Sequence, residues 1–127
     1  MTGTLQCYIL IFMDSRFFNN WATQLRKGIL ELCIFNIISA ESPYGYDIVR
    51  ILRQIDSLVI SEGTIYPILS RLKQEGLVQT NIRESSEGPP RKYYELTSKG
   101  EKMLEHMNVY WKITKKGSES LIKGKDL

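Results

Sequence analysis

The stretch SEGTIYPILSRLKQEGLV, residues 61–78, constrains the fold more than any other part of the chain. Ile65, Ile68, Leu69 and Leu72 recur at helical spacing and make one apolar stripe. Gly63, Tyr66, Pro67, Ser70 and Gln74 fall on the other face, with Thr64, Arg71 and Lys73 at its borders. Ser61 is placed to cap this helix, and Glu62 puts a favourable charge in its first turn. Gly76 is suited to end it. A strand-like run begins at once, from Leu77 to Arg83. ESSEGPP at 84–90 is rich in turn formers, and RKYYELT at 91–97 reads as a second strand. A helix that feeds straight into a hairpin with a long tip is the frame the remaining segments must fit.

Upstream, residues 21–40 read as a helix through Leu25, Ile29, Leu30, Leu32 and Cys33, apolar nearly all round from Ile29 to Ile38 and so central to the core. Pro43 and Gly45 punctuate a turn at 41–46. A short amphipathic helix follows, with Ile48, Val49, Ile51, Leu52 and Ile55 inward and Asp47, Arg50, Arg53 and Gln54 outward. Residues 56–60 form a linker. After the hairpin, Ser98-Lys99-Gly100-Glu101 fits a capping box, and a helix runs to about residue 121. Leu104, Met107, Trp111, Thr114, Ser118 and Leu121 alternate spacings of three and four, the heptad pattern of a helix that pairs with another. Thr114, Gly117 and Ser118 weaken its second half.

The order helix, turn, helix, linker, helix, hairpin, long helix predicts an α+β, mostly α chain: a winged helix-turn-helix followed by a C-terminal dimerisation helix. The expected boundaries are 1–16 for an N-terminal extension, 17–97 for the winged helix, 98–121 for the dimerisation helix and 122–127 for a tail. The length of 127 residues suits one domain with a modest core and an extra helix. The net charge of +3 is too small by itself to point to nucleic acid, but it is uneven. Residues 1–60 balance five basic against five acidic side chains, whereas 61–127 carry twelve against nine.

Other classes find little in the chain. Cys7 and Cys33 are too far apart for a zinc motif and too few for a disulfide framework, which makes a reducing cytoplasm the default. LQCYILIFM at 5–13 is far shorter than the roughly 20 residues of a membrane span. It lacks the basic start of a secretory signal, since the first basic residue is Arg16. It reads as an extra segment, as sequence upstream of a true start at Met13, or as a packed partner-binding tail. There is no Gly-rich phosphate loop, no HExxH and no carboxylate pair at catalytic spacing, so neither an enzyme nor a cofactor is expected. Pairing Cys33 with His106 as a nucleophile would require taking a cysteine out of a core helix.

The helix of 61–75 can approach a duplex closely. Gly63 has no side chain in the way, and the hydroxyls of Thr64, Tyr66 and Ser70 suit phosphates or base edges. Pro67 removes one helical N–H, and the bend expected there would aim the first turn at a groove. Arg91 and Lys92 on the hairpin suit phosphates. The plainer readings are a packed Tyr66 and a solvated Arg91 and Lys92. The alternative function is a winged helix that binds protein and not DNA.

YGYDI at 44–48, GTIYPILSRLKQEGLV at 63–78 and PRKYYELTSKG at 90–100 resemble the PadR family of bacterial transcriptional regulators, over about Phe17 to Leu121. The short C-terminal region resembles the small subfamily with one helix after the wing, which includes multidrug-sensing repressors. The resemblance implies a cytoplasmic homodimer that binds an inverted-repeat operator in double-stranded DNA and represses transcription. It makes helix 61–75 the recognition helix and hairpin 77–97 the wing. The DNA-binding residues expected are Tyr44, Tyr46, Ser61, Gly63, Thr64, Tyr66, Pro67, Ser70, Arg71, Lys73, Arg91 and Lys92. Leu104, Met107, Trp111, Thr114 and Leu121 are expected at the dimer interface. Trp111, with Met107, stands where some drug-sensing members stack a planar effector; plain dimer packing is the simpler role. Pro89 departs from the family's frequent basic residue, which implies a weaker hold on the DNA backbone. Residues 1–12 have no counterpart in the family pattern.

Overall fold

The computed structural model of the chain describes residues 15–85 and 87–122, so the expectations for residues 1–14 and for the tail beyond 122 lie outside the described residues. Helix α1 spans Arg16–Glu41 and α2 spans Gly45–Leu52. A single 3-10 turn, Asp56–Leu58, leads to α3, Glu62–Gln74. Strands β1, Val78–Ser85, and β2, Gly88–Leu96, form the antiparallel hairpin, and α4 runs over Ser98–Ser120. This is the expected winged-helix order, α+β and mostly helical.

The chain divides into two units inside α1, one up to Glu31 and one from Leu32 onward. In the second unit the core is built from Ile34, Phe35 and Ile38 of α1, Ile48, Val49 and Leu52 of α2, and Ile65, Leu69 and Leu72 of α3. Val78 and Tyr94 close it at the base of the wing. Ile55 does not join this core: α2 stops at Leu52, and Ile55 lies in the following turn, 44% exposed. Ile51 and Ile68 are half-buried rather than inside, and Leu25, in the first unit, is exposed. Asn36 and Asn108 exchange amide hydrogen bonds, 3.1 Å in each direction, and so join α1 to α4.

Segment 41–46 is more than a turn. Ser42 takes a left-handed φ of 49°, and Tyr44 is extended at φ −86°, ψ 163°. Tyr44 bridges to Tyr93, and the Tyr94 amide donates to the Pro43 carbonyl at 2.8 Å. Proline suits this place because it has no N–H to offer and an edge pairing needs only its carbonyl. The wing therefore leans on a third short extended segment that connects it to the first residue of α2.

At the other end of α3 the chain forms a tight junction. The Leu77 amide donates to the Leu72 carbonyl and the Gly76 amide to the Lys73 carbonyl, both at 3.0 Å, with Gly76 at φ 75°. These are the two bonds of a Schellman ending. The start of α4 completes them. Thr97 Oγ1 donates to the Gly76 carbonyl at 2.7 Å, and the Thr97 amide donates to the Leu77 carbonyl at 3.1 Å. Lys99 Nζ donates to the Glu75 carbonyl at 2.9 Å. Thr97, and not Ser98, caps α4: its Oγ1 accepts from the Gly100 amide at 3.0 Å. Ser98 is already the first helical residue, so the capping box expected at 98–101 sits one residue late. Gly100 packs so closely that a Cβ there would lie 2.0 Å from the Leu77 carbonyl oxygen.

Replacing Gly100 by alanine forces backbone apart and should cost about 2 kcal/mol or more. Gly117→Ala, in the same helix with nothing within 4 Å, should instead stabilise by about 0.5–1 kcal/mol. Urea unfolding midpoints for the two variants check this, and movement in the same direction would contradict the packing described. Thr97→Val keeps the shape but orphans the Gly76 carbonyl and the Gly100 amide, and should cost about 1–2 kcal/mol in the same assay.

Candidate nucleic-acid interface

The stripe that sends Ile65, Leu69 and Leu72 into the core sends the rest of α3 outward. Ser61, Gly63, Thr64, Tyr66, Pro67, Ser70, Arg71 and Lys73 are all exposed on it. Ser61 stands at the N-cap, but its side chain makes no capping bond; its Oγ pairs with Thr64 Oγ1 at 3.0 Å. Pro67 lies inside the helix, which continues through it to Gln74. Its missing N–H leaves the Gly63 carbonyl without its helical donor.

Beside this face lies a cavity of about 340 Å³ lined by Tyr44, Gly45 and Tyr46 at the start of α2, by Tyr66 of α3, and by Arg91, Lys92 and Tyr94 of the wing. Three separate elements thus bring together five of the expected residues. Burial pushes the Tyr66 phenol above its ordinary range, with smaller contributions from the Glu62 carboxylate and Tyr44. A tyrosine phenol is protonated near neutral pH with or without this shift, so it is available as a hydrogen-bond donor.

The cations are held by rings. The Arg91 guanidinium lies 4.8 Å from the centre of the Tyr44 ring, and the Arg83 guanidinium lies 4.4 Å from the centre of Tyr93. Tyr44 and Tyr93 meet edge to face at 5.8 Å, so the four side chains form one continuous row. Glu95 anchors its end, 3.5 Å from Arg83 and hydrogen-bonded to Asn81. Planar guanidinium groups resting on aromatic faces lose little freedom when they bind an anion. Arg83 and Tyr93 were not among the expected site residues. The sequence carried part of the signal, since Tyr93 is two residues from Arg91 and so on the same strand face; that Arg83 stands opposite Arg91 follows from the hairpin register.

The residues expected on α4 lie apart from this face and differ among themselves. Trp111 is 37% exposed and Met107 half-buried, while Thr114 and Leu121 are exposed. Leu104, at 7% exposure, is packed largely within its own chain. Val109 and Ile113 extend the exposed apolar part of the helix. Among the described residues no three His, Cys, Asp or Glu side chains gather where they could hold a metal ion, and no helix is long and apolar enough to cross a membrane.

The chain matches the model of the transcriptional regulator PadR-like family over residues 34–106, from the end of α1 into α4. It is 40% identical to a PadR-like transcriptional regulator of Bacillus cereus, with a TM-score of 0.74 over 80% of this chain and 99% of that one. A PadR family transcriptional regulator of Eggerthella lenta is 27% identical, with a TM-score of 0.71 over 84% of this chain and 93% of that one. An uncharacterised protein of Lysinibacillus sphaericus is 31% identical over 87 residues, 67% of this chain and 80% of its own length. Fold, family model and relatives agree: the chain belongs to the PadR-like family of transcriptional regulators, whose work is DNA-binding regulation.

Proposed function

We propose that the chain is a homodimeric repressor that grips an inverted-repeat operator with α3 and the wing of each protomer. The observation that carries this reading is the row of Arg91, Tyr44, Tyr93 and Arg83 beside the exposed hydroxyl face of α3. In it, the first turns of α3 enter successive major grooves, with Gly63 allowing close approach and Thr64, Tyr66 and Ser70 meeting phosphates or base edges. Arg71 and Lys73 follow along the same helix. Tyr44, Tyr46, Arg91 and Lys92 hold the flanking backbone.

Residues 98–121 serve as the dimerisation helix in this reading, with Met107, Trp111, Thr114 and Leu121 meeting the second copy. A planar effector stacks on Trp111 beside Met107. Release from DNA follows when that effector binds a spread dimer more tightly than an operator-ready one, and the shift cannot exceed that difference in affinity.

Anisotropy of a labelled duplex selected from a random pool by the wild-type protein tests the DNA face. Arg91→Ala should weaken binding about tenfold and flatten the dependence of log affinity on log salt by about one unit, while the unfolding midpoint stays put. Failure of the wild-type protein to hold any duplex against competitor would favour the protein-binding alternative. In a Trp21→Phe background, Trp111 fluorescence should be quenched saturably by a planar cationic dye, and a linear, unsaturating response would contradict the effector site. Thr114→Asp should yield monomers in sedimentation experiments, since it places a charge in the proposed seam.

A further inference from the structure

The wall of the tyrosine-lined cavity holds a contact that the DNA reading leaves unexplained. Gly45, the first residue of α2, is buried. A Cβ built on it would lie 2.9 Å from Tyr66 Cε1, 3.2 Å from the Tyr66 hydroxyl and 3.5 Å from Cζ. Its φ is not positive, so its backbone does not call for glycine. In the first turn of a helix alanine is the better residue. What glycine provides here is space, and the space is filled by the Tyr66 ring.

We propose that Gly45 is a positioning residue for DNA binding: lacking a side chain, it lets the Tyr66 ring lie against α2 and holds the phenol at the cavity shared with Tyr44 and Arg91. This rests on the reading of that face as the DNA site. The partner at the cavity is a backbone phosphodiester. The neutral phenol donates to it, and the Arg91 guanidinium supplies the charge. Burial of the phenol, followed by smaller contributions from Glu62 and then Tyr44, raises its titration, and the burial fits a ring packed in this place. Tyr94, on the inner face of the wing, is also raised, first by its own burial and then by Tyr66. The phenol of Tyr66 is thus within reach of both α2 and the wing. Tyr66 is the α3 residue that lines this cavity, while Ser61 and Thr64 pair with each other at the start of the helix.

The contact differs in kind from that at Gly100. There the obstacle is a backbone carbonyl; here it is the far end of a side chain that can swing aside. Gly45→Ala should therefore move Tyr66 and leave the fold intact. Two measurements test this. In the anisotropy assay with the duplex selected by the wild-type protein, Gly45→Ala and Tyr66→Ala should each weaken binding about tenfold, and the double variant should be no weaker than Tyr66→Ala alone, because both changes remove the same contact. Wild-type affinity for Gly45→Ala, or losses that multiply in the double variant, would overturn the proposal. Independently of DNA, NMR titration of 13Cζ-labelled tyrosine should show the Tyr66 phenol falling toward the ordinary tyrosine value in Gly45→Ala. An unchanged titration would overturn the proposal as well. If Gly45→Ala lowers the urea midpoint, Gly45→Ala/Tyr66→Leu should restore it, because the clashing ring is gone; a midpoint that stays low counts against the contact. Were the wild-type protein to bind no duplex, the DNA reading would fail, while the NMR titration would still decide whether Gly45 places Tyr66.

Discussion

The contact on which the other parts depend is between Gly100 and the Leu77 carbonyl, where a methyl group would stand 2.0 Å from oxygen. Leu77 lies between the end of α3 and the start of β1, and Gly100 is in the first turn of α4. Around that contact Thr97 and Lys99 satisfy the carbonyls of Glu75 and Gly76, the groups a helix end leaves without partners. The result is that α3, the base of the wing and α4 share one anchor. A two-stranded hairpin is marginal by itself in water. This one is held at its base by the junction and along β2 by the Pro43 carbonyl.

That rigidity gives the proposed DNA face its shape. A net charge of +3 does not by itself attract a duplex to one side of the protein. Here the charge is local and oriented, because Arg91 rests on Tyr44 and Arg83 on Tyr93. The rings act as floors that keep flexible arginines in place, and Glu95 keeps Arg83 from wandering. A coupling between α4 and α3 also has a physical route in the protein, since Lys99 and Thr97 belong to the start of α4 and bond to the end of α3. Asn36 and Asn108 tie α4 further to α1.

Much of this was legible in the sequence. The 3.6-residue stripe of α3, the glycine at its end and the run at 91–97 led directly to the winged helix. What was not legible depended on pairing between distant residues. Thr97 caps α4 because its side chain can serve Gly76 and Gly100 at once, which no local motif shows. Pro43 and Tyr44 pair with β2 for reasons that involve Tyr93 and Tyr94. Leu104 follows the heptad but is consumed by the core of its own chain. Ile55 follows the α2 stripe but lies past the helix end. The row from Arg83 to Arg91 required the hairpin register, which alternation hints at and only the fold supplies.

In the function proposed above, the start of α2, the outer face of α3 and the wing act as one DNA surface. Hydrogen–deuterium exchange of the full chain with and without a bound duplex tests it most directly. Exchange should slow in peptides covering residues 44–47, 61–71 and 83–92, with little change in the middle of α4. Protection confined to α4, or absent from the wing and the start of α2 while duplex is bound, would contradict it.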